Sequence, residues 1–291
     1  MASWNDRYWT SRDGLKLHYR DYAGPDDRPP VLCLHGLTRN SRDFGTLGKR
    51  LAGKWRVIAL DFRGRGKSEY DPQSARYSPP TYAADVLELL DLLDIDKAVF
   101  IGTSLGGLVT MIVAGFAPQR IAGAVLNDIG PELSAEGIRR ISGYVGQPVL
   151  FGSWDEAAEK FGEKFGDVHP AYGRDQWLSY ARRICRETSE GVEFDYDMAI
   201  AEPFKSMDDK TATADDAWPL LKKLAGRPVL LLRGERSDLL PAETAEKMCK
   251  TLPDAELVTV PGVGHAPDFD EPESIAAVER LLQRVLESDR A

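Results

Sequence analysis

The run Val99-Phe100-Ile101-Gly102-Thr103-Ser104-Leu105-Gly106-Gly107-Leu108 constrains the fold of this chain more than any other. An apolar β-type stretch meets a serine set between glycines and then turns helical, so the sequence predicts strand, sharp turn and helix. In Gly102-x-Ser104-x-Gly106 the glycines have a mechanical reason. So tight a turn brings adjacent backbones together, and a Cβ beside the serine would collide with them. The turn lifts the Ser104 hydroxyl above the sheet. Taken alone the pattern is a weak signal, because glycine-rich turns containing a serine are common.

The rest of the chain supplies the context. Tyr8-Trp9-Thr10 and Lys16-Leu17-His18-Tyr19-Arg20 alternate apolar and polar residues about Arg12-Asp13-Gly14, which predicts a hairpin of antiparallel edge strands. Val31 to Leu34 is a continuous apolar run, and Arg56 to Leu60, Lys97 to Ile101 and Ile121 to Asn127 are apolar but for a polar residue at one end, as strands covered on both faces require. Helical spacing over residues 81–93 and from Leu105 to Ala117 separates them, which implies right-handed crossovers and a parallel sheet. Pro228 to Leu232 and Ala255 to Val260 resume the rhythm, and Pro272 to Leu286 ends it as an amphipathic helix. The expectation is an α/β fold of eight strands, six with parallel character, flanked by helices.

Between Pro131 and about Lys210 the reading finds no buried strand. Helical segments near Ser134–Tyr144, Ser153–Phe165 and Arg174–Glu187 form an insertion after the sixth strand, the second opening with the capping box Ser153-x-x-Glu156. The expected division is a core of residues 1–130 and 211–291, with residues 131–210 as a helical cap.

Composition narrows the partners. With 43% hydrophobic residues the chain can bury a large core, yet no segment offers about 18 consecutive apolar residues for a membrane span. The N-terminus lacks the charged start and apolar stretch of a secretory signal, so the expected location is the cytoplasm. Lys+Arg at 37 against Asp+Glu at 46 gives a net charge of −9, which argues against nucleic acid or an anionic membrane as the main partner. Cys33, Cys185 and Cys249 are odd in number and lack C-x-x-C spacing, so neither a disulfide framework nor a zinc site is expected; no other metal or organic cofactor is implied.

In a parallel sheet the chemistry gathers where strands end at their carboxyl termini. The third strand delivers His35-Gly36-Leu37 there, the fifth Ser104, the sixth Asp128, the seventh Gly234 to Asp238, and the eighth Gly262-Val263-Gly264-His265. A nucleophile, two candidate acids and a histidine therefore share one rim, with the order Ser, Asp, His along the chain.

With Leu34-His35-Gly36-Leu37, Asp61-x-Arg63-Gly64-x-Gly66-x-Ser68, the serine turn, Gly234-x-x-x-Asp238 and Gly264-His265-Ala266-Pro267 in this order, the sequence resembles the α/β hydrolases. Similar members bear a cap and include carboxylesterases, lactonases, epoxide hydrolases and carbon–carbon bond hydrolases. The resemblance implies Ser104 as nucleophile, His265 as its base, and an acid that fixes the imidazole tautomer. Backbone N–H groups of Leu37 and Leu105 are implied as the oxyanion hole. Asp238 is the expected acid, since Gly-x-x-x-Asp-x-x-Pro matches the commoner family arrangement; Asp128 is the alternative, from a place some members use. Haloalkane dehalogenases and epoxide hydrolases resemble one another in carrying aspartate at the turn, so Ser104 points instead to acyl chemistry.

The remaining chemical residues receive plainer readings. His35 is expected to orient its loop through its ring nitrogens at the edge of the pocket. His18 reads as solvated or half-buried, His169 as a surface-loop residue, and Arg63, Arg65 and Lys67 as a solvated basic turn. Tyr144, Phe151, Trp154, Phe161, Trp177 and Tyr180 of the insertion are candidates for an apolar pocket wall or for the insertion's own core. The expected function is hydrolysis of a small to medium apolar carboxylic ester or lactone through an acyl-enzyme. The alternatives are carbon–carbon cleavage of a ring-cleavage product and, outside catalysis, a ligand-binding receptor on a hydrolase fold. A monomer or homodimer is expected.

Overall fold

The computed structural model describes residues 4–205 and 214–288. The strands run β1 (Trp4–Thr10), β2 (Lys16–Tyr22), β3 (Val31–Leu34), β4 (Val57–Asp61), β5 (Ala98–Thr103), β6 (Ile121–Asn127), β7 (Leu150–Phe151), β8 (Cys185–Glu187), β9 (Val192–Phe194), β10 (Val229–Gly234) and β11 (Glu256–Val260). Eight of them form one sheet in the order β1-β2-β4-β3-β5-β6-β10-β11. β2 runs antiparallel to β1 and β4, and every other neighbouring pair is parallel. This is the α/β hydrolase fold with the expected eight strands.

The continuous apolar runs are explained by burial on both faces, since alternate residues of a strand point to opposite sides. Leu32, Leu34, Ile58, Leu60, Phe100 and Leu126 face α2 (Pro79–Leu92) and α3 (Leu105–Phe116), which contribute Val86, Leu89, Leu90, Val109 and Val113. Val31, Cys33, Val57, Ala59, Val99, Ile101 and Val125 face the other way. They meet Leu47 and Leu51 of α1 (Gly45–Leu51) and Val278, Leu281, Leu282 and Val285 of α10 (Pro272–Ser288). Each such aliphatic side chain, fully buried, contributes about 1.5–3 kcal/mol relative to exposure, so the two layers hold the sheet rigid under its rim.

Between β6 and β10 lie α4 (Ala135–Ser142), α5 (Trp154–Phe165), α6 (Arg174–Ile184), α7 (Ala201–Lys205) and α8 (Ala214–Lys222). Contrary to the all-helical expectation, this insertion also contains a small antiparallel sheet in the order β7-β9-β8. The segment expected as helix to Glu187 stops at Ile184 because Cys185 is extended and pairs with Phe194. The boundary expected at residues 210–211 falls outside the described residues.

The insertion packs on the loops leaving the carboxyl ends of the core strands. The carbonyl of Arg183 accepts from Asn40 Nδ2 and Arg42 Nε, both at 2.9 Å, and Arg42 reaches Asp195 at 2.6 Å. Val168 O accepts from Gly264 N at 2.8 Å. Arg65 and Tyr196 form an antiparallel bridge, with Gly66 N donating to Asp195 O at 3.0 Å and Asp197 N to Gly64 O at 2.8 Å. Helix α9 (Ala242–Thr251) completes the chain between β10 and β11. Among the described residues no helix is long and apolar enough to cross a membrane.

Three surface readings are corrected by burial. His18 is 1% exposed, its Nδ1 2.6 Å from Asp61 and its Nε2 2.9 Å from Asp6, because the hairpin folds over it against β4. His169 is buried and stacks on Tyr172 with ring centroids 4.4 Å apart, since its segment lies under α6 and not in a free loop. Arg63 and Arg65 are buried beneath the insertion and α2, so only Lys67 of the expected basic turn is solvated.

Candidate active site

Ser104 sits between β5 and α3 at φ 49°, a backbone conformation in which a non-glycine residue is strained. The glycines around it permit the turn. A Cβ on Gly106 would stand 2.0 Å from the Leu34 carbonyl oxygen, and one on Gly102 would stand 2.4 Å from the Gly106 carbonyl carbon. α3 starts at Leu105, so the partial positive charge of its N-terminus lies beside the hydroxyl.

His265 arrives on the loop after β11. Its Nε2 is 3.1 Å from Ser104 Oγ, and its Nδ1 is 2.7 Å from Asp128 Oδ2. Asp128 follows directly on β6 and is fully buried. Its Oδ1 accepts from Gly234 N at 3.0 Å, and its Oδ2 accepts from Ser237 Oγ at 2.6 Å. Asn127 Nδ2 donates to Pro267 O at 2.8 Å, which ties the end of β6 to the histidine's loop. A carboxylate on Nδ1 sets the tautomer in which Nε2 carries the lone pair facing the serine.

The expected acid, Asp238, does not make this contact. It turns away to Arg140 of α4, which donates from Nη2 to Oδ1 at 2.8 Å and from Nε to Oδ2. Burial alone would raise the Asp238 carboxyl, but the guanidinium prevails and holds it below the usual carboxylate range. The end of β10 therefore supplies the Gly234 N–H, and the loop after it Ser237, to Asp128 in place of an acid of that loop's own. The structure brings together Ser104, His265 and the alternative, Asp128.

The turn after β3 faces the serine. A Cβ built on Gly36 would lie 3.9 Å from Ser104 Cβ and 3.3 Å from Arg39 Cγ. His35 is fully buried; its Nε2 accepts from Phe62 N at 3.0 Å, so its proton is on Nδ1, which donates to Gly36 O at 2.7 Å. Burial lowers its pKa to about 4, which keeps the ring neutral and this tautomer fixed at neutral pH. Arg39 N also donates to Gly36 O, at 3.2 Å. Because N–H and C=O of a trans peptide point in opposite directions, anchoring Gly36 O aims the Leu37 N–H away from His35.

The insertion touches this site through a charged layer absent from the sequence reading. Arg39 donates to both oxygens of Asp43 at 2.7 Å and lies 4.5 Å from the centroid of Tyr180. Arg183 meets Asp268, three residues past His265, at 3.1 Å, and the Tyr172 hydroxyl donates to the same carboxylate. Of the expected pocket residues, Tyr144 is half-buried against Phe165 and Trp177 packs on Tyr172 and Tyr180. Phe151 and Phe161 fill the insertion's own core with Phe194, and Trp154 directs its Nε1 to Glu187 at 3.4 Å. Among the described residues no cluster of three or more His, Cys, Asp or Glu is placed to hold a metal ion.

A serine, an imidazole and a buried carboxylate in hydrogen-bond series above a parallel sheet define a class, and the comparisons agree. The chain belongs to the α/β hydrolases: the family model described as alpha/beta hydrolase fold matches residues 29–272. It is similar to a 3-hydroxybutyrate-oligomer hydrolase of Cupriavidus necator, 34% identical over 92% of each chain. It is also similar to a non-heme chloroperoxidase of Burkholderia pyrrocinia, 31% identical over 89% of this chain and 92% of that one. A crystal structure of an alpha/beta hydrolase from Novosphingobium aromaticivorans shares 55% identity, covers 98% of this chain and 99% of its own, and superposes with a TM-score of 0.92.

Proposed function

We propose that this protein is a serine hydrolase of carboxylic esters or lactones that works through an acyl-enzyme. The observation that carries the reading is the series Asp128–His265–Ser104, with contacts of 2.7 and 3.1 Å. Ser104 Oγ attacks the substrate carbonyl while His265 Nε2 takes its proton; Asp128, held by Ser237 and Gly234 N, steadies the resulting imidazolium. The negative charge passes to the carbonyl oxygen, where the N–H groups of Leu37 and Leu105 receive it. As the tetrahedral species collapses, the ester bond breaks and the alcohol leaves with the proton from Nε2. Water, activated by the same nitrogen, then releases the acid.

The insertion, fastened to the loops around the serine, acts in this reading as a cap that bounds the substrate and excludes water. The name of the Cupriavidus relative favours short aliphatic hydroxy-acid esters within the ester class. Assay of p-nitrophenyl butyrate, a 3-hydroxybutyrate dimer and a panel of lactones tests the proposal. Turnover is expected, with Ser104→Ala reducing it by at least about 10⁴-fold and abolishing labelling by a fluorophosphonate. No turnover, together with ligand binding indifferent to Ser104→Ala, would transfer the protein to the receptor reading.

A further inference from the structure

Two arginines on the loop after β4 are buried by opposite means. Arg63 is ringed by carboxylates: Asp13 and Asp71 at 2.7 Å and Asp85 at 2.6 Å. Arg65 is fully buried, yet among the described residues it forms no ion pair within 4.0 Å. Its Nη1 donates to Arg63 O and Tyr82 Oη, both at 2.8 Å, and its guanidinium faces the rings of Tyr82 and Tyr77 at 4.9 and 5.6 Å. Nη2 has no partner. The remaining donor, Nε, reaches across to Leu37 O at 3.0 Å.

A buried cation with no carboxylate in direct contact is costly to keep; the nearest acid on its aromatic side, Asp197, reaches it only through the Tyr77 hydroxyl, which donates to that carboxylate at 2.6 Å. Structural support alone would be met at lower cost by a neutral donor, or by an arginine paired with carboxylates as Arg63 is. Leu37 explains the expense. Its preceding carbonyl, Gly36 O, is fixed by His35 and Arg39 N, and its own carbonyl by Arg65, so both peptide planes flanking the residue are immobilised. The Leu37 N–H lies in the first of these planes, and the ester-hydrolase reading sets it where negative charge grows during acyl transfer.

We propose that Arg65 is a positioning residue for the oxyanion turn. It pins the Leu37 carbonyl, and its charge, not paired directly with any carboxylate, sets a positive potential beside the Leu37 N–H before substrate arrives. The inference rests on the ester-hydrolase reading and deepens it. A cation in this place favours a charged tetrahedral species over a neutral bound ester, so its effect belongs to the rate and not to ground-state binding.

The test compares Arg65→Met and Arg65→Lys with wild type, counting reactive sites by fluorophosphonate titration so that unfolded protein drops out. Each is assayed on p-nitrophenyl butyrate and for affinity toward an alkyl boronic acid, which forms a tetrahedral anion on serine. Arg65→Met is expected to lower kcat about 10- to 100-fold with KM within about threefold, and to weaken boronate binding by the same factor as kcat. Arg65→Lys keeps the charge but loses the planar fork, so a smaller, still matched deficit of about threefold or more is expected. Wild-type kcat and boronate affinity in folded Arg65→Met overturns the inference, as does a loss in which KM rises as much as kcat falls. If Arg65→Met does not fold, Arg65→Lys decides alone by the same comparison, and equality with wild type overturns the inference. A wild-type chain that neither hydrolyses esters nor reacts with the phosphonate refutes the ester-hydrolase reading itself.

Discussion

Asp128 and Asp238 leave the same rim on neighbouring strands, and their partners separate them. Asp128 accepts from His265, Ser237 and Gly234 N in full burial, whereas Asp238 is spent on Arg140. Asp128→Asn is therefore expected to lower kcat by about 10³- to 10⁴-fold, by analogy with other triad carboxylates. Asp238→Asn breaks a partly exposed ion pair and should change kcat by no more than about threefold. Steady-state kinetics of the two variants decides, and the reverse ranking would return the acid to the loop after β10. Ser104 and His265 were legible because each is announced by its immediate neighbours. The acid was not, because the choice depends on Arg140, 98 residues from Asp238 and in another element. Arg65 was read as solvated for a similar reason: a basic residue in a glycine-rich loop looks exposed until the chain that covers it is seen.

At the scale of elements, the strand–turn–helix around Ser104 depends on backbone contact that no side chain can enter. Gly106→Ala places a methyl 2.0 Å from Leu34 O, between two elements that cannot separate without opening the sheet. A loss of at least about 3 kcal/mol is expected, seen as a fall in Tm on the order of 10 °C. Gly45→Ala, where a Cβ meets nothing within 4 Å at an ordinary helical φ, should be neutral or slightly stabilising. Differential scanning calorimetry of the two checks the contrast. The core strands were legible because burial on both faces writes unbroken apolar runs. β7 and β8 were missed because two or three residues cannot establish a period; β9 was missed although Val192, Phe194 and Tyr196 alternate with Glu193 and Asp195 in the sequence, and the structure adds that Asp195 is buried too, paired with Arg42.

For the molecule as a whole, buried histidines couple stability to acidity. His35 and His169 are each depressed by burial from 6.5 to about 4, so the folded state favours their neutral forms. As pH falls below 6.5 the unfolded chain takes up these protons first. Each histidine's stabilising effect is thus complete above pH 6.5, declines through the window down to about 4 and is exhausted below it. The ceiling for His35 is about 3 kcal/mol. Urea unfolding at pH 7 and pH 4.5 should show a smaller difference in His35→Gln than in wild type; an unchanged difference would mean that the ring is not held neutral. The bridge between Arg65 and Tyr196 has a further consequence. Gly64 to Gly66 and Asp195 to Asp197 share main-chain hydrogen bonds, so the insertion and the core meet there as one continuous fabric. An insertion transplanted from a relative would unpick the loop that steadies Leu37 unless it brought its own matching stitch. If the insertion bounds the substrate and Arg65 positions Leu37 as proposed, substrate range and catalytic rate in this scaffold are inherited together.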